Sequence, residues 1–581
     1  MKKKIFSLFL AAVMVLSMMV VVPISVSAEG NTFDATNYDT TETFTISTAE
    51  DLVNFADYLR TAQKTFKDKI VNVENDITLS EAQSAAWQGI GNGDNSEFDQ
   101  HFEGTFNGNG HTIDLGDSVT VTANHKGGLF RGLSGGAVVK NFKLLGKISI
   151  DGDRSSVGAV VCRLRGTVTL ENIHCSVDIT NTGAGDNSKM SYCGGLVGFI
   201  HNDQTTDLTI NGCIYDGDIN CNVSANNIGG LIGYTGKNSA TKNIRVKNTV
   251  FAGQIMLSDP ADHCSTKIGG LIGYVPSNAN NAVNIYLDDV MSIGQITFAG
   301  NREWTAQQRG VIFGNLAGDT DDTYTSPLSV YPNKVYYIPM KNYDNSELPL
   351  YGASNLSTSG GSMTRLKNNT FKKTATEIAD LSADDFSDGA VFSFKASTYW
   401  DTYYPCPSYF AQNGAWVDSL KVSVDAKVLG AQIRYNNDAT LYSGIRFVAE
   451  FKETLAENIG NADANFGLIL ISKTAYDGLT DKTSFEELKT AGVQVPAIMA
   501  ETKDGIVTVK AVVYNIDEED YDKEIVAIPY INGAVAGDAL PRSIYYVANE
   551  CVNDESDEVD PAAKEYSQGI VDYVTANTPE N

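Results

Sequence analysis

Between residues 127 and 314, short apolar runs alternate with glycine pairs, and the alternation repeats. The copies are Gly127-Gly128-Leu129-Phe130, Val157-Gly158-Ala159-Val160, Gly194-Gly195-Leu196-Val197-Gly198-Phe199, Gly229-Gly230-Leu231-Ile232-Gly233-Tyr234 and Gly269-Gly270-Leu271-Ile272-Gly273-Tyr274. A decayed copy follows at Arg309-Gly310-Val311-Ile312-Phe313-Gly314, and the starts step by 30, 37, 35, 40 and 40 residues. A second register accompanies the first. Ile148, Ile179, Ile219, Ile255 and Ile296 each follow Asn141, Asn172, Gly212, Asn248 and Asp289 by seven residues. Constant spacing inside a unit with variable spacing between units predicts strands in register, joined by loops of unequal length. The segments 181–189, 235–241 and 276–281 are rich in Asn, Gly, Ser and Thr, as such loops should be.

No segment of 127–314 keeps a 3.6-residue apolar period over three turns, so helical repeats are excluded. Short strands, glycine corners and this period predict a parallel β-helix. Stacked coils lie about 4.8 Å apart, so equivalent residues form ladders. Leu129, Leu196, Leu231 and Leu271 are one expected ladder, and the five isoleucines another. Such an array needs capping. Thr48-Ala49-Glu50-Asp51 reads as a helix start with Leu52, Phe55, Ala56 and Leu59 on one face, a cover for the open sheet edge.

From Val417 the pattern changes. Alternating or continuous apolar strands at 420–424, 431–435, 444–451, 467–471, 507–513 and 525–530, closed by a helix at 562–575, predict a β-sandwich. The fold class expected is therefore all-β: a right-handed, pectin-lyase-like parallel β-helix with an N-terminal helical cap, then a C-terminal β-sandwich domain. The expected divisions are 1–28 leader, 29–345 solenoid with cap, 346–416 closing segment and linker, and 417–581 sandwich with its C-terminal helix.

The leader changes the picture of location. Lys2, Lys3 and Lys4, an apolar run from Ile5 to Val22 and the small-residue exit Val26-Ser27-Ala28 have the order of a secretory signal peptide, with cleavage after Ala28. No second apolar stretch follows, and 575–581 is polar without an anchor. A secreted or loosely surface-associated protein is expected, with no membrane segment after cleavage and a monomeric state. Cleavage removes three lysines and no acid, moving the formal charge from −28 to −31. Charge of that sign excludes nucleic acid and anionic membrane as partners. The eight cysteines lack a CxxC pair, and Cys162, Cys175 and Cys213 sit inside apolar strands, so they read as small buried hydrophobes. Six scattered histidines give a His/Cys metal site little to build on, and no cofactor is expected.

The segments ISTAEDLVNFADYL, FEGTFNGNGHTIDL and the GGLIGY copies closely resemble the GLUG-motif β-helix proteins of Gram-positive and gut bacteria. The stretch 374–410 is similar to the segment that closes the solenoid in that family. The resemblance covers roughly 45–410 and implies a right-handed β-helix. It implies little about activity: members are mostly adhesin-like or uncharacterised, the motif also decorates larger surface proteases, and its glycines are structural. The C-terminal segments resemble an uncharacterised module of secreted clostridial proteins, from which no functional residue carries over.

Candidate chemistry is sparse. Lyase action on uronates needs clustered carboxylates for calcium plus a basic residue on one face. The candidates are Asp151-Gly152-Asp153-Arg154, Asp216-Gly217-Asp218, Asp288-Asp289 and Gly318-Asp319-Thr320-Asp321-Asp322. The first and last have turn context, and Asp218 shares a variable polar slot with Lys147, Asp178, Gln254 and Gln295. No GxSxG elbow accompanies His101, His111, His125, His174, His201 and His263. Arg434, Arg446 and Arg542 stand out in an acidic chain, as salt-bridge partners or as a ligand site. The sharpest binding candidate is aromatic: Phe199, Tyr234 and Tyr274 share one repeat position. If the leucine ladder is core, they form an exposed stripe for stacking on sugar rings. If Val197, Ile232 and Ile272 are core instead, the rings lie inside or at a corner. The reading that follows is a non-catalytic adhesion or glycan-binding protein, with extracellular glycans or host and surface proteins as partners. A polysaccharide lyase or glycoside hydrolase acting in a solenoid groove is the alternative.

Overall fold

A computed structural model describes residues 33–577, apart from 93–100, 123–124, 152–154, 182–189, 203, 222–224, 237–239, 258–266, 277–281, 299–307, 317–327, 343–345, 353–360, 413–416, 437–442, 454–464, 483, 498–499, 555 and 557–558. The leader 1–28 lies outside the described residues. The chain divides into two compact units: residues up to Ala396 with Tyr403–Lys421, and Ser397–Thr402 with Val422–Asn581. Both are predominantly β.

Three parallel sheets dominate the first unit, and each repeat contributes to all three. The glycine-pair segments alternate between two six-stranded sheets. One holds Met190–Gly194, Ala225–Gly229 and Lys267–Gly269 with their equivalents; the other holds Val197–Ile200, Ile232–Tyr234 and Ile272–Val275 with theirs. The Ile registers build the third and longest sheet, which runs from Thr43–Ile46 to Thr370–Lys372. The result is a β-helix-like stack of coils. Ile148, Ile179, Ile219, Ile255 and Ile296 pair in register and are all buried.

The glycines are set by backbone contact. A Cβ on Gly229 would lie 2.0 Å from the carbonyl oxygen of Ile232, just past the bend, and 2.7 Å from Gly273 N on the next coil. On Gly233 it would meet the carbonyls of Cys193 and Gly198 at 2.6 Å. Any side chain there pushes the two short sheets apart. The register members Asn141, Asn172, Gly212, Asn248 and Asp289 all have left-handed φ, from 46 to 65°, as does Lys334 one coil further on. That conformation explains the Asn, Gly and Asp composition. Their amides also bond from coil to coil, as in Asn172 Nδ2 to Asn141 Oδ1 at 3.0 Å and Asn248 Nδ2 to Asn211 Oδ1 at 2.9 Å.

The helix Ala49–Ala62 starts at a capping box in which Thr48 Oγ1 accepts from Asp51 N and Asp51 Oδ2 accepts from Thr48 N. Leu52, Phe55, Ala56 and Leu59 are its buried face, and Phe55 meets the Phe102 and Phe106 rings. At the other end, the segment from Ala375 to Leu420 runs alongside the coils. The long sheet's outer column Ile214, Val250, Met291 and Tyr336 is apolar, and Ile378, Phe386, Phe392, Tyr404 and Leu420 cover it.

In the second unit, Ala426–Arg434, Gly444–Lys452, Ile506–Tyr514 and Ala500–Lys503 form one antiparallel sheet. Val493–Pro496, Phe466–Ser472, Ile525–Ile531, Ala534–Val535 and Leu540–Arg542 form another. Phe447, Phe451, Leu468 and Val509 of the two sheets share one core with Val547 and Ile570 of the helices Ile544–Asn553 and Pro561–Asn577. Among the described residues no helix is long and apolar enough to cross a membrane.

Gly229→Ala should destabilise the first unit by about 3 kcal/mol, the upper range for overpacking, read as a lowered urea midpoint. Gly569→Ala, where a Cβ meets nothing in an exposed helix, should stabilise the second unit by about 1 kcal/mol.

Candidate functional site

Phe199, Tyr234 and Tyr274 pair in register, in a column that runs from Gly132 through Arg163 and on to Asn315. Both expected core ladders, Leu196/Leu231/Leu271 and Val197/Ile232/Ile272, are buried together. Strand alternation does not carry through the bend between them, which turns residues on both sides inward. The rings form a seam outside that core. Tyr192 of the facing short sheet inserts among them, 5.1 Å from the Phe199 centroid and stacked at 4.6 Å on Tyr234, which also stacks at 5.6 Å on Tyr274 one coil on. The Arg163 guanidinium lies 5.8 Å from the Phe199 centroid, and Lys267 Nζ lies 4.5 Å from that of Tyr274. Tyr234 is only 5% exposed, and burial pushes its hydroxyl pKa up, with Tyr192 and Tyr274 adding to the shift. Neighbouring side chains therefore occupy the ring faces that a sugar would stack on.

The acidic candidates are dispersed. Asp153, Arg154 and 318–322 lie outside the described residues, and Asp151 is exposed. Lys147, Asp178, Asp218, Gln254 and Gln295 form one outer column, half-buried except at the exposed Lys147, where burial and then Asp178 push the Asp218 carboxyl up. Asp289 accepts from Ser387 N at 2.8 Å, so it serves the closing segment. Among the described residues no three His, Cys, Asp or Glu side chains assemble as a metal site. All seven described cysteines are free, and six are buried.

Asp216 joins a cluster that spacing did not reveal. Its Oδ2 meets His174 Nε2 at 2.7 Å and accepts from the Ser419 hydroxyl, while Ser176 Oγ lies 3.0 Å from the same Nε2. The residue types are those of a nucleophilic triad, but the geometry is not. Serine and carboxylate share one ring nitrogen, so the imidazole cannot accept from one while donating to the other. The His174 and Asp216 side chains are 7% and 6% exposed, and Phe410 packs edge-on to the imidazole at 5.7 Å. The cluster ties the closing segment to the coils. Val391 N donating to Asn248 Oδ1 at 3.2 Å and Ser387 N to Asp289 add further ties.

The outer face of the long sheet carries a stripe that the aromatic candidates did not include. Arg245, Tyr286 and Tyr331 occupy one column on successive coils. The tyrosine rings stack at 4.8 Å and 12°, with the Arg245 guanidinium 5.1 Å from the Tyr286 centroid and that of Arg365 4.8 Å from Tyr331. Arg365 comes from the helix Gly361–Asn368 and is held by Nε donating to Val330 O at 3.0 Å. Two residues away along each strand, Asn284 donates to Asn243 Oδ1 at 2.9 Å, and Asn243 to Asp207 Oδ1 at 2.7 Å. Tyr331 is 39% exposed, so hydroxyls, guanidinium edges and amides sit together at the strand spacing. Aligning the outward positions of 242–247, 283–288 and 328–333 in the Ile register would have found it.

In the second unit, Arg446 Nη2 donates to Gln432 Oε1 at 2.7 Å, and Arg542 Nη1 donates to Pro541 O at 2.8 Å while its guanidinium lies 4.7 Å from the Tyr546 centroid. Among the described residues neither makes a salt bridge. Arg446 borders an open cleft of about 540 Å³ with Tyr435, Glu550, Cys551 and Asp560. Arg434 is half-buried.

No protein-family model matches the chain, and no curated protein matches it significantly. A solved structure that it resembles is a "putative immunoglobulin A1 protease" from Bacteroides ovatus, 15% identical, covering 58% of this chain and 86% of that one, with a TM-score of 0.31. A likeness that shallow carries no argument about activity.

Asp216 anchors the closing segment, and its pH dependence has a defined sign. Burial works to raise its carboxyl, but the hydrogen bond and charge of His174, with Ser176 and Ser419, hold it below the ordinary 3.8. Its stabilising contribution is therefore present above about pH 4 and lost as the pH falls below that value. His174→Ala, which leaves the carboxylate buried without its main partner, should cost about 3 kcal/mol at pH 7 in urea denaturation. That deficit should shrink as acid protonates Asp216; a constant deficit down to pH 3 would mean that only imidazole packing was lost.

Proposed function

We propose that this chain is a secreted or cell-surface, non-catalytic adhesion protein that binds glycans, a member of the GLUG-motif type. Its first unit is a right-handed β-helix with an N-terminal helical cap, and its second a β-sandwich. The repeated Gly-Gly-Leu-x-Gly copies and the secretory leader support the type and the location. The Arg245–Tyr286–Tyr331–Arg365 stripe with its neighbouring Asn243–Asn284 amides carries the binding reading. Guanidinium, phenol and amide groups at regular spacing on an exposed sheet face suit the paired hydroxyls of a saccharide chain. The catalytic alternative receives no comparable support: among the described residues the carboxylates are scattered, or spent on holding the closing segment, and supply neither a calcium cluster nor an acid–base pair.

The purified chain without its leader should be retained on a polysaccharide panel with no release of oligosaccharide. The double variant Arg245→Ala/Tyr331→Ala should lose about tenfold in retention, as expected for truncating two binding anchors. Released product would sink the non-catalytic reading, and unchanged retention would remove the stripe as the binding face.

A further inference from the structure

A second feature of the first unit goes beyond this reading and lies elsewhere on it. A cleft of about 290 Å³ opens beside the first coils, with Trp87, Thr120, Thr122, His125, Lys126 and Arg131 among its lining. This volume is at the small end for ligand pockets and suits one sugar ring. The floor is fixed: Trp87, only 6% exposed, donates its Nε1–H to Gly128 O at 3.2 Å, so the buried indole closes the base of the cleft. Arg131 N donates to Ile90 O at 2.8 Å, placing the nearly buried Arg131 side chain behind it. At the mouth, Thr122 Oγ1 and His125 Nδ1 lie 3.0 Å apart, His125 is exposed and Lys126 is half-buried.

The charge of this cleft is opposite to that of the protein. Among the described residues no Asp or Glu lines it, in a chain with 71 acidic and 43 basic residues. Next to Arg131, Gly132 lies against His101 and pairs in register with Arg163 on the following coil. Burial and then the charges of Arg163, Arg165 and His201 push the nearby His101 imidazole down to about 3. Burial lowers Arg60, and Arg131 lowers it further, against the opposing pull of Asp57. The Arg131 and Lys126 charges favour an anion at short range. The repulsion from the net negative surface is screened beyond about 8 Å at physiological salt.

We propose that this cleft binds an anionic saccharide residue, its acid group held by Lys126 and His125 with Arg131 behind, and its ring over the base that Trp87 closes. Threonine hydroxyls and the backbone of Gly127 and Gly128 are placed for the ring hydroxyls. A carboxylate sugar and a sulfated sugar share this chemistry, and separate arms of the test distinguish them.

Calorimetric titration of the chain without its leader would use oligogalacturonate, a sulfated galactan oligomer and a neutral cello-oligosaccharide. At least one anionic oligomer should bind and the neutral one should not. His125→Ala/Lys126→Ala should weaken the anionic affinity by about tenfold or more, as loss of charge-assisted contacts does. Lys503→Ala makes a similar change of net charge on an exposed strand of the other unit and should leave the affinity unchanged. Thermal unfolding of each variant at the wild-type midpoint would exclude loss of fold. The proposal is overturned if neither anionic oligomer binds, if the neutral one binds equally, or if the double variant binds like wild type. Because Arg245 and Tyr331 are untouched, failure here is separable from failure of the stripe.

Discussion

Backbone approaching backbone without side chains between is the constraint on which the first unit depends. At Gly229 and its equivalents, the bend carbonyl and the next coil leave no room for a Cβ. The two short sheets close on each other because Gly229, Gly230 and Gly233 and most of their equivalents carry no side chain, with Ala159, Cys162 and Val311 among the departures in the outer copies. Once they close, Leu231 before the bend and Ile232 after it both turn inward, and each coil acquires a wide apolar face. The variable loops do not disturb this, because they leave and re-enter at the same register positions. Stability then comes from neighbour-to-neighbour contacts, which is why the end helix and the closing segment matter as much as any repeat.

In-register stacking also decides what aromatic residues can do. A ring repeated on successive coils meets its own equivalent face to face at about the strand spacing. Tyr234 and Tyr274 are consumed in this way, with Tyr192 inserted and Arg163 and Lys267 at the margins. Tyr286 and Tyr331 obey the same geometry between two guanidinium groups. The difference lies in position. The first column faces a second sheet and is closed over, whereas the second lies on an open sheet face where hydroxyls and guanidinium edges stay accessible. A repeated aromatic is thus first a stacking element, and it becomes a recognition element only where the surrounding face is open.

These particulars explain how far the sequence could be read. The isoleucine ladder and the buried face of the helix Ala49–Ala62 were legible because each depends on spacing within one segment. The left-handed column showed in composition, as Asn, Gly and Asp, although its conformation did not. The choice between the Leu and Val/Ile ladders failed at Gly195-Leu196, since alternation assumes a straight strand and the chain bends there. The tie of Ser419 to Asp216 spans two hundred residues and has no local signature. The outer column that changes from Lys143 and His174 to Ile214, Val250 and Met291 did carry a signal: an apolar stripe on an outer face requires a cover.

The same logic separates the residues that build from those that could recognise. A position repeated in every coil is answerable to its neighbours above and below, so it is constrained by packing. Arg365 and Trp87 stand outside the repeat registers and have no such obligation, whereas Arg245 and Lys126 occupy repeat columns in which the residue type changes from coil to coil. Arg365 arrives on a helix outside the repeats, and Trp87 precedes the first glycine pair. Specific chemistry on a stack of equivalent coils therefore collects where equivalence breaks down: at the ends, on inserted helices and along the margins of the covering segment. The two binding features, the stripe and the cleft, both lie at such places. The coils between them supply the rigid spacing that holds each set of side chains in position.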